Sequence, residues 1–380
     1  MHPVNYLPGP ATVRENVRFA RAQEPPGIEV YGEAVRKLKH LVGTEHELHI
    51  LCGEGMVALD AAVCSLVEPG DDVLVITNGV FGSWFEDLVA RHRGIPTVLA
   101  CPWERPVSPA TLDAFLRQTE KSFKVATLVH CDTPTGVLND VRSLVSLLMR
   151  RGILTIVDSV SAAFATPLEM DAWGIDVLLL GSQKVLSCPT GLAMVAVSAR
   201  AWAAIETRNT PIAGYYTNLL LFKGCVETGK FPYALPNSEL AGLLAAINNI
   251  IQETPEALQK RHRTIAAAVR TGLQESGLRL FLDDGYSPTV TAFRIPEGVT
   301  AREIVADMQK LFNITITCGL DSVTDTVIRL GHLGENARVE TTLFVLKALG
   351  AVFSRRGVPL RKDPGEVFFR EYCKIVGINS

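Results

Sequence analysis

The stretch TIVDSVSA at residues 155–162, followed by IDVLLLGSQKVLSCPTGL at residues 175–192, holds two short apolar runs that each end in groups able to do chemistry. Such β-branched runs, flanked by turn residues, read as buried strands of a parallel sheet. The first ends at Asp158 and the second leads into Ser182, Gln183 and Lys184. Open α/β sheets bind ligands at the carboxyl ends of their strands, which is where two side chains distant in sequence come together. Taken alone the pair is unspecific, because most aspartates after strands are turn or helix-start residues and most lysines are solvated.

The same rhythm extends outward on both sides. DDVLVIT reads as a strand, NGVFG as a turn and SWFEDLVARHR as a helix. FKVATLVH, VRSLVSLLMRRG and GLAMVAVS continue the alternation. The pattern predicts an α/β fold with a large, mostly parallel sheet covered on both faces. From about Ser238 to Thr271 the sequence turns helical, with an interruption near Pro255. Beyond it LRLFLDD, TVTAFRIP, NITITCG and TVIRLGH read as strands. A helix is expected near Thr300 and a last helix over RVETTLFVLKALGAVF, giving a smaller C-terminal α+β domain. The expected division is an N-terminal arm at 1–20, a large domain with its linker helix at 21–260 and a small domain at 261–380. A chain of 380 residues ordinarily divides its core in this way.

Composition excludes several classes of function. With 37 basic and 40 acidic residues and a net charge of -3, no global field would gather nucleic acid or an anionic membrane. Eight cysteines are scattered without a CxxC pair or metal-finger spacing, so no metal is expected. No apolar run reaches transmembrane length and no leader pattern is visible at the start. Together with the unpaired cysteines this points to a cytoplasmic protein.

Further motifs surround the Asp158–Lys184 pair. In CGEGMVALDAA, Gly53 and Gly55 precede a helix whose free N–H groups could cradle a phosphate, although an ordinary helix entry fits as well. Neither GxGxxG nor a GKS/GKT loop is present, so a dinucleotide fingerprint and a nucleotide loop are excluded here. Phe81 in TNGVFG could lie over a planar ring or pack in the core, and Thr133 in HCDTPTG is a candidate cofactor contact. The rigid LPGP arm places Gly9 where it could line a site. Arg329 in TVIRLGH could clamp a carboxylate with both arms of its guanidinium. A suitably activated lysine forms an imine with pyridoxal, and an aspartate beside the pyridine nitrogen keeps that ring a good electron sink.

Taken in order, LPGP, CGEGMVALDAA, TNGVFG, HCDTPTG, TIVDSVSA, GSQK, CPTGL and VIRLGHLG resemble the class V, fold-type I pyridoxal-phosphate aminotransferases from about residue 5 to residue 352. Within that family the chain is similar to the alanine:glyoxylate and serine:glyoxylate enzymes and to pyridoxamine:pyruvate aminotransferase. The resemblance implies pyridoxal 5'-phosphate as cofactor, with Lys184 as the Schiff-base lysine, Asp158 as partner of the pyridine nitrogen and Phe81 stacked on the ring. It also implies that Gly55, Met56 and Gln183 approach the phosphate, that Arg329 holds the substrate carboxylate, and that active sites lie between the subunits of a homodimer. The implied reaction moves an amino group from a small amine or amino acid to a 2-oxo acid such as pyruvate or glyoxylate.

Departures from the family pattern bear on the substrate. Glu54 stands where the alanine:glyoxylate type carries a small hydroxylated residue, a likeness to the pyridoxamine enzyme that makes Glu54 a candidate substrate contact. Leu320, however, stands where that enzyme carries an extra arginine. In GKFPYALPNSE, Phe231 and Ala234 replace a tyrosine and a threonine that serve the neighbouring subunit's site in the alanine:glyoxylate type. The alternatives are a lyase or a desulfurase, for which Cys318 lies near Arg329 in sequence although its surroundings, TITCGLD, do not identify it as a nucleophile, and a noncatalytic binding protein on the same fold.

Overall fold

The computed structural model describes residues 3–23 and 27–378. Seven strands form the large sheet in the spatial order Glu47–Cys52, Leu192–Val197, Val177–Gly181, Leu154–Asp158, Val125–Val129, Asp72–Thr77 and Ile95–Ala100. All neighbours run parallel except Leu192–Val197, which is antiparallel to the strands on both sides. The central strands are apolar throughout because alternate residues face two different cores. Leu178 and Leu180 pack into the layer with helices Gly27–Leu41, Val141–Met149 and Asn237–Glu253. Val177 and Leu179 pack into the opposite layer with helices Gly55–Leu66, Val80–Arg91 and Ala199–Glu206.

Helix Pro255–Glu275 joins this body to a second core. Its Leu258 packs in the first, whereas Ile265, Ala268, Val269 and Leu273 pack in the second. That second core lies under an antiparallel sheet of Val290–Arg294, Val327–Gly331 and Thr317–Cys318, with helices Ala301–Phe312, Val339–Arg355 and Pro364–Val376.

Several local expectations are corrected. Residues Val80–Gly82 of NGVFG form the first turn of a helix rather than a loop, because the distant Asp132 carboxylate accepts the Phe81 N–H at 2.8 Å. LRLFLDD forms no strand: one bridge links Leu280 to Phe293, beside a 2.9 Å bond from the Phe281 N–H to the Ala292 carbonyl. Val339–Arg355 is not the last helix, since Pro364–Val376 follows with Asp363 as its cap. The strand Ile95–Ala100 and the helix Pro109–Gln118 are further elements that the sequence reading passed over.

The N-terminal arm ties the two bodies together. Val4 and Asn5 pair with Ile314 and Thr315, and the buried Tyr6 accepts the Gly331 N–H on its backbone carbonyl and shares a 2.8 Å hydroxyl bond with Thr342. A methyl group at Gly331 would stand 2.1 Å from the Leu7 carbonyl, so only glycine lets the arm lie this close. Farther on, the Ala11 N–H reaches the Gln183 carbonyl at 2.8 Å, next to Lys184. Asn336 clamps the crossing by accepting the Thr12 N–H and donating to the Leu7 and Gly331 carbonyls. Asn336→Ala leaves these groups without their partner and is expected to cost about 2–4 kcal/mol. The check is denaturant unfolding.

Candidate active site

The strands Leu154–Asp158 and Val177–Gly181 pair in register with Asp158 opposite Leu179. Their carboxyl ends therefore open on one edge of the sheet, and a cavity of about 230 Å³ lies there. Its lining includes Gly9, Glu54, Gly55, Met56, Phe81, Thr133, Asp158, Gln183 and Lys184, so nine of the ten residues expected from the sequence meet in one place. The tenth, Arg329, comes from the smaller sheet. It does not line the cavity but is close enough for its charge to act on Lys184. Its guanidinium is buried and donates from Nε to the Cys318 carbonyl at 2.6 Å.

The electrostatics follow from removing these groups from water. Burial pushes the Asp158 carboxyl up to about 7, with the Val160 N–H, a 2.9 Å donor, and Lys184 drawing it partly back. Burial likewise brings the Lys184 ammonium down to about 8. Arg329 adds to the fall and Asp158 opposes it. Asp132, pushed up to about 6 by burial, is held against that rise by the N–H groups that start helix Val80–Arg91 and by Arg329. The Lys184 Nζ donates to the Pro8 carbonyl at 2.7 Å, and a methyl at Gly9, whose φ is +122°, would stand 2.5 Å from that nitrogen.

Two groups of residues singled out in the sequence have defined surroundings within the single chain. Glu54 lines the cavity, yet both its oxygens are engaged, Oε1 by the Met56 N–H at 3.1 Å and Oε2 by the Gln183 amide at 3.1 Å. None of Phe231, Tyr233 and Ala234 lines the cavity of the single chain. Phe231 packs edge-on to Tyr31, and Tyr233 stacks on Tyr216 while its hydroxyl faces the Cys52 N–H. The sequence reading missed the Pro8 carbonyl and Ser161, which lines the cavity three residues after Asp158 in the motif first quoted. It also missed Cys131, the cysteine that lines the cavity in place of Cys318; burial pushes that thiol up to about 11, far from the thiolate a sulfur-attacking residue needs.

The residues fit pyridoxal phosphate. Asp158 is a buried carboxylate with only one oxygen satisfied by the protein, as suits a partner for a protonated ring nitrogen. The Ser161 hydroxyl and the Gln183 Oε1 are buried without a hydrogen-bond partner, and both residues line the same cavity. A lysine poised near neutrality faces them. Among the described residues no cluster of His, Cys, Asp and Glu could hold a metal, and no helix is long and apolar enough to cross a membrane.

A large sheet with a lysine and an aspartate at adjacent strand ends, a smaller domain supplying an arginine and a roofing N-terminal arm define a fold-type I enzyme that depends on pyridoxal phosphate. The family model described as aminotransferase class V matches residues 27–339, and the chain belongs to that family. An L-aspartate–glyoxylate aminotransferase of Paracoccus denitrificans is 31% identical over 97% of this chain and 96% of its own. Among solved structures, the ureidoglycine-glyoxylate aminotransferase of Bacillus subtilis superposes with a TM-score of 0.93 at 26% identity, covering 98% of both chains. The pyridoxamine-pyruvate aminotransferase of Mesorhizobium loti does so with a TM-score of 0.93 at 26% identity, covering 99% of this chain and 98% of its own. The chain is thus an enzyme of transamination that uses pyridoxal phosphate.

The imine role that the family resemblance implies for Lys184 requires its neutral amine. Cofactor uptake by the apoenzyme should therefore speed up about tenfold per pH unit and level off near the group's value of about 8. Because Asp158 raises and Arg329 lowers that value, Asp158→Asn should shift the midpoint to lower pH and Arg329→Met to higher pH. Stopped-flow absorbance across pH measures all three.

Proposed function

We propose that Lys184, Asp158 and Arg329 carry the transfer of an amino group from a small amine or amino acid to a 2-oxo acid such as pyruvate or glyoxylate. The observation that carries this reading is the union of a near-neutral lysine with a half-satisfied buried aspartate in one cavity, beside a buried arginine. Bound pyridoxal phosphate supplies the electron sink for the substrate carbanion and carries the amino group between the two half-reactions. Lys184 Nζ takes the proton from the donor α-carbon and returns it during transfer, a task suited to a group poised close to the working pH. Asp158 Oδ2 holds the proton on the ring nitrogen. Phe81 and Thr133 would hold the ring of the bound cofactor and Gly55, Met56 and Gln183 its phosphate, while Gly9 lets the arm close over the lysine. Arg329 has its Nη donors left for a substrate carboxylate, since only Nε is bonded to the protein. Glu54 acts first on Gln183 and the start of helix Gly55–Leu66.

The wider assignments are proposals of the same kind. A homodimer is supported by the exposed Tyr215, Tyr216, Leu220 and Leu221, a run of apolar surface that a second copy would cover. A cytoplasmic location is supported by eight free cysteines. The division at 1–20, 21–260 and 261–380 is supported by the change of core partners along helix Pro255–Glu275.

The decisive experiment follows the visible absorbance of the cofactor-loaded enzyme while alanine, serine, aspartate or pyridoxamine is added, then pyruvate or glyoxylate. Bleaching by a donor and recovery with a 2-oxo acid support the reading; elimination products or an inert spectrum overturn it. Lys184→Ala should abolish the cycle. Arg329→Lys should lower kcat/KM for the 2-oxo acid by about 100-fold, as expected for losing a bidentate clamp. It should lower the donor half-reaction equally for an amino acid and leave it nearly unchanged for a donor without a carboxylate, such as pyridoxamine.

A further inference from the structure

A second cleft, of about 570 Å³, lies away from the cofactor cavity, between the large-sheet body and helix Pro255–Glu275. No residue lining it lines the first cavity. Its walls are largely apolar and aromatic, with Trp173 from one body and Tyr286 from the other. Arg270 lies in contact with the face of Tyr286, its guanidinium carbon 5.1 Å from the ring centroid. Such packing desolvates a cation without neutralising it.

Arg270 is unusual in its partners. It is half-buried, yet no described carboxylate pairs with it, and its one hydrogen bond is a 3.4 Å contact from Nη1 to the Ser287 carbonyl. The remaining N–H groups have no acceptor among the described residues while the residue lines the cleft. Two more cationic side chains, Arg142 and Arg263, lie at exposed positions of the same lining. Asp140 is the one acid there, and both its oxygens are engaged with Ser143. Desolvating an arginine without a counter-charge is costly. An anion from outside would relieve that cost, and a planar carboxylate matches the guanidinium fork.

We propose that this cleft is a binding site for a small aromatic carboxylate, with its ring between Trp173 and Tyr286 and its carboxylate on Arg270. The site joins two elements of the fold, because Trp173 belongs to the large body and Arg270 to the helix that enters the second core. It also abuts the cofactor site through one residue. His130 lines the cleft in edge-to-face contact with Trp173, and its backbone N–H donates to the Asp158 carbonyl at 2.7 Å.

The test is fluorine NMR of 4-fluorophenylacetate titrated into the cofactor-loaded enzyme. This probe carries neither an amine nor a 2-oxo group, so it is no substrate for transamination and the readout is independent of turnover. Saturable line broadening is expected for the parent enzyme and for Arg329→Lys. It should weaken at least about tenfold in Arg270→Gln and about threefold or more in Arg270→Lys and Trp173→Leu. The neutral isostere 4-fluorophenylacetamide should not compete. The unfolding temperature without probe should stay level or rise in Arg270→Gln, and the probe should raise it only in the parent. Absence of saturable binding, unchanged binding in Arg270→Gln, or loss in Arg329→Lys with retention in Arg270→Gln would each overturn the proposal, the last by placing the probe in the cofactor cavity. Should Arg270→Gln fail to fold, parent-like binding by both Arg270→Lys and Trp173→Leu overturns it equally.

Discussion

The pairing of Leu154–Asp158 with Val177–Gly181 is the constraint on which the rest of this structure depends. Both strands are buried on two faces, and the cavity opens at their carboxyl edge, where Asp158 and Lys184 emerge. Burial there works on the two groups in opposite directions, raising the carboxyl and lowering the ammonium until both lie near neutrality. Neither group would be shifted in this way on an exposed loop. The apolar layers on the two sides of the sheet hold them against that desolvation, and a lysine that is partly neutral at working pH is the chemical result.

Around that edge the chain is arranged so that separate bodies contribute to one site. The N-terminal arm starts in the second core, crosses Gly331 at backbone distance and places the Pro8 carbonyl on Lys184. Arg329 comes from the middle of the smaller sheet, where its strand pairs on both sides. Helix Pro255–Glu275 spans from one core to the other, and the Arg270 cleft follows the same junction. Relative movement of the two bodies would therefore be felt by the roof, Arg329 and the second cleft together.

Elements with local signatures were the legible ones. The two-faced apolar runs announced the strands, and Gly55 after Glu54 announced a helix whose Glu54 cap is local. The helix starting at Val80 was read as a turn because Gly79 offers no cap and the carboxylate that serves the first turn belongs to Asp132 in another loop. Pro364 and Gly365 resemble a break, yet Asp363 caps the helix and Pro364 occupies its first turn, where a missing N–H costs nothing. The run around Phe281 has the apolarity of a strand, but only one bridge to Phe293 forms.

For the site, the sequence by itself determined which chemical groups are present and the order in which they come: Asp158 after one strand, Lys184 after the next, Arg329 near the end, in a motif series characteristic of one enzyme family. Those features are local, since strand ends and glycine turns follow from neighbouring residues. Only the tertiary structure decided that both Glu54 oxygens are already engaged, that Cys131 rather than Cys318 lines the cavity, and that Pro8 supplies the lysine's acceptor. It alone left Arg270 without a carboxylate partner among the described residues. Each of these depends on contacts between segments far apart in the chain, and on how far burial removes a group from water, neither of which a linear pattern encodes.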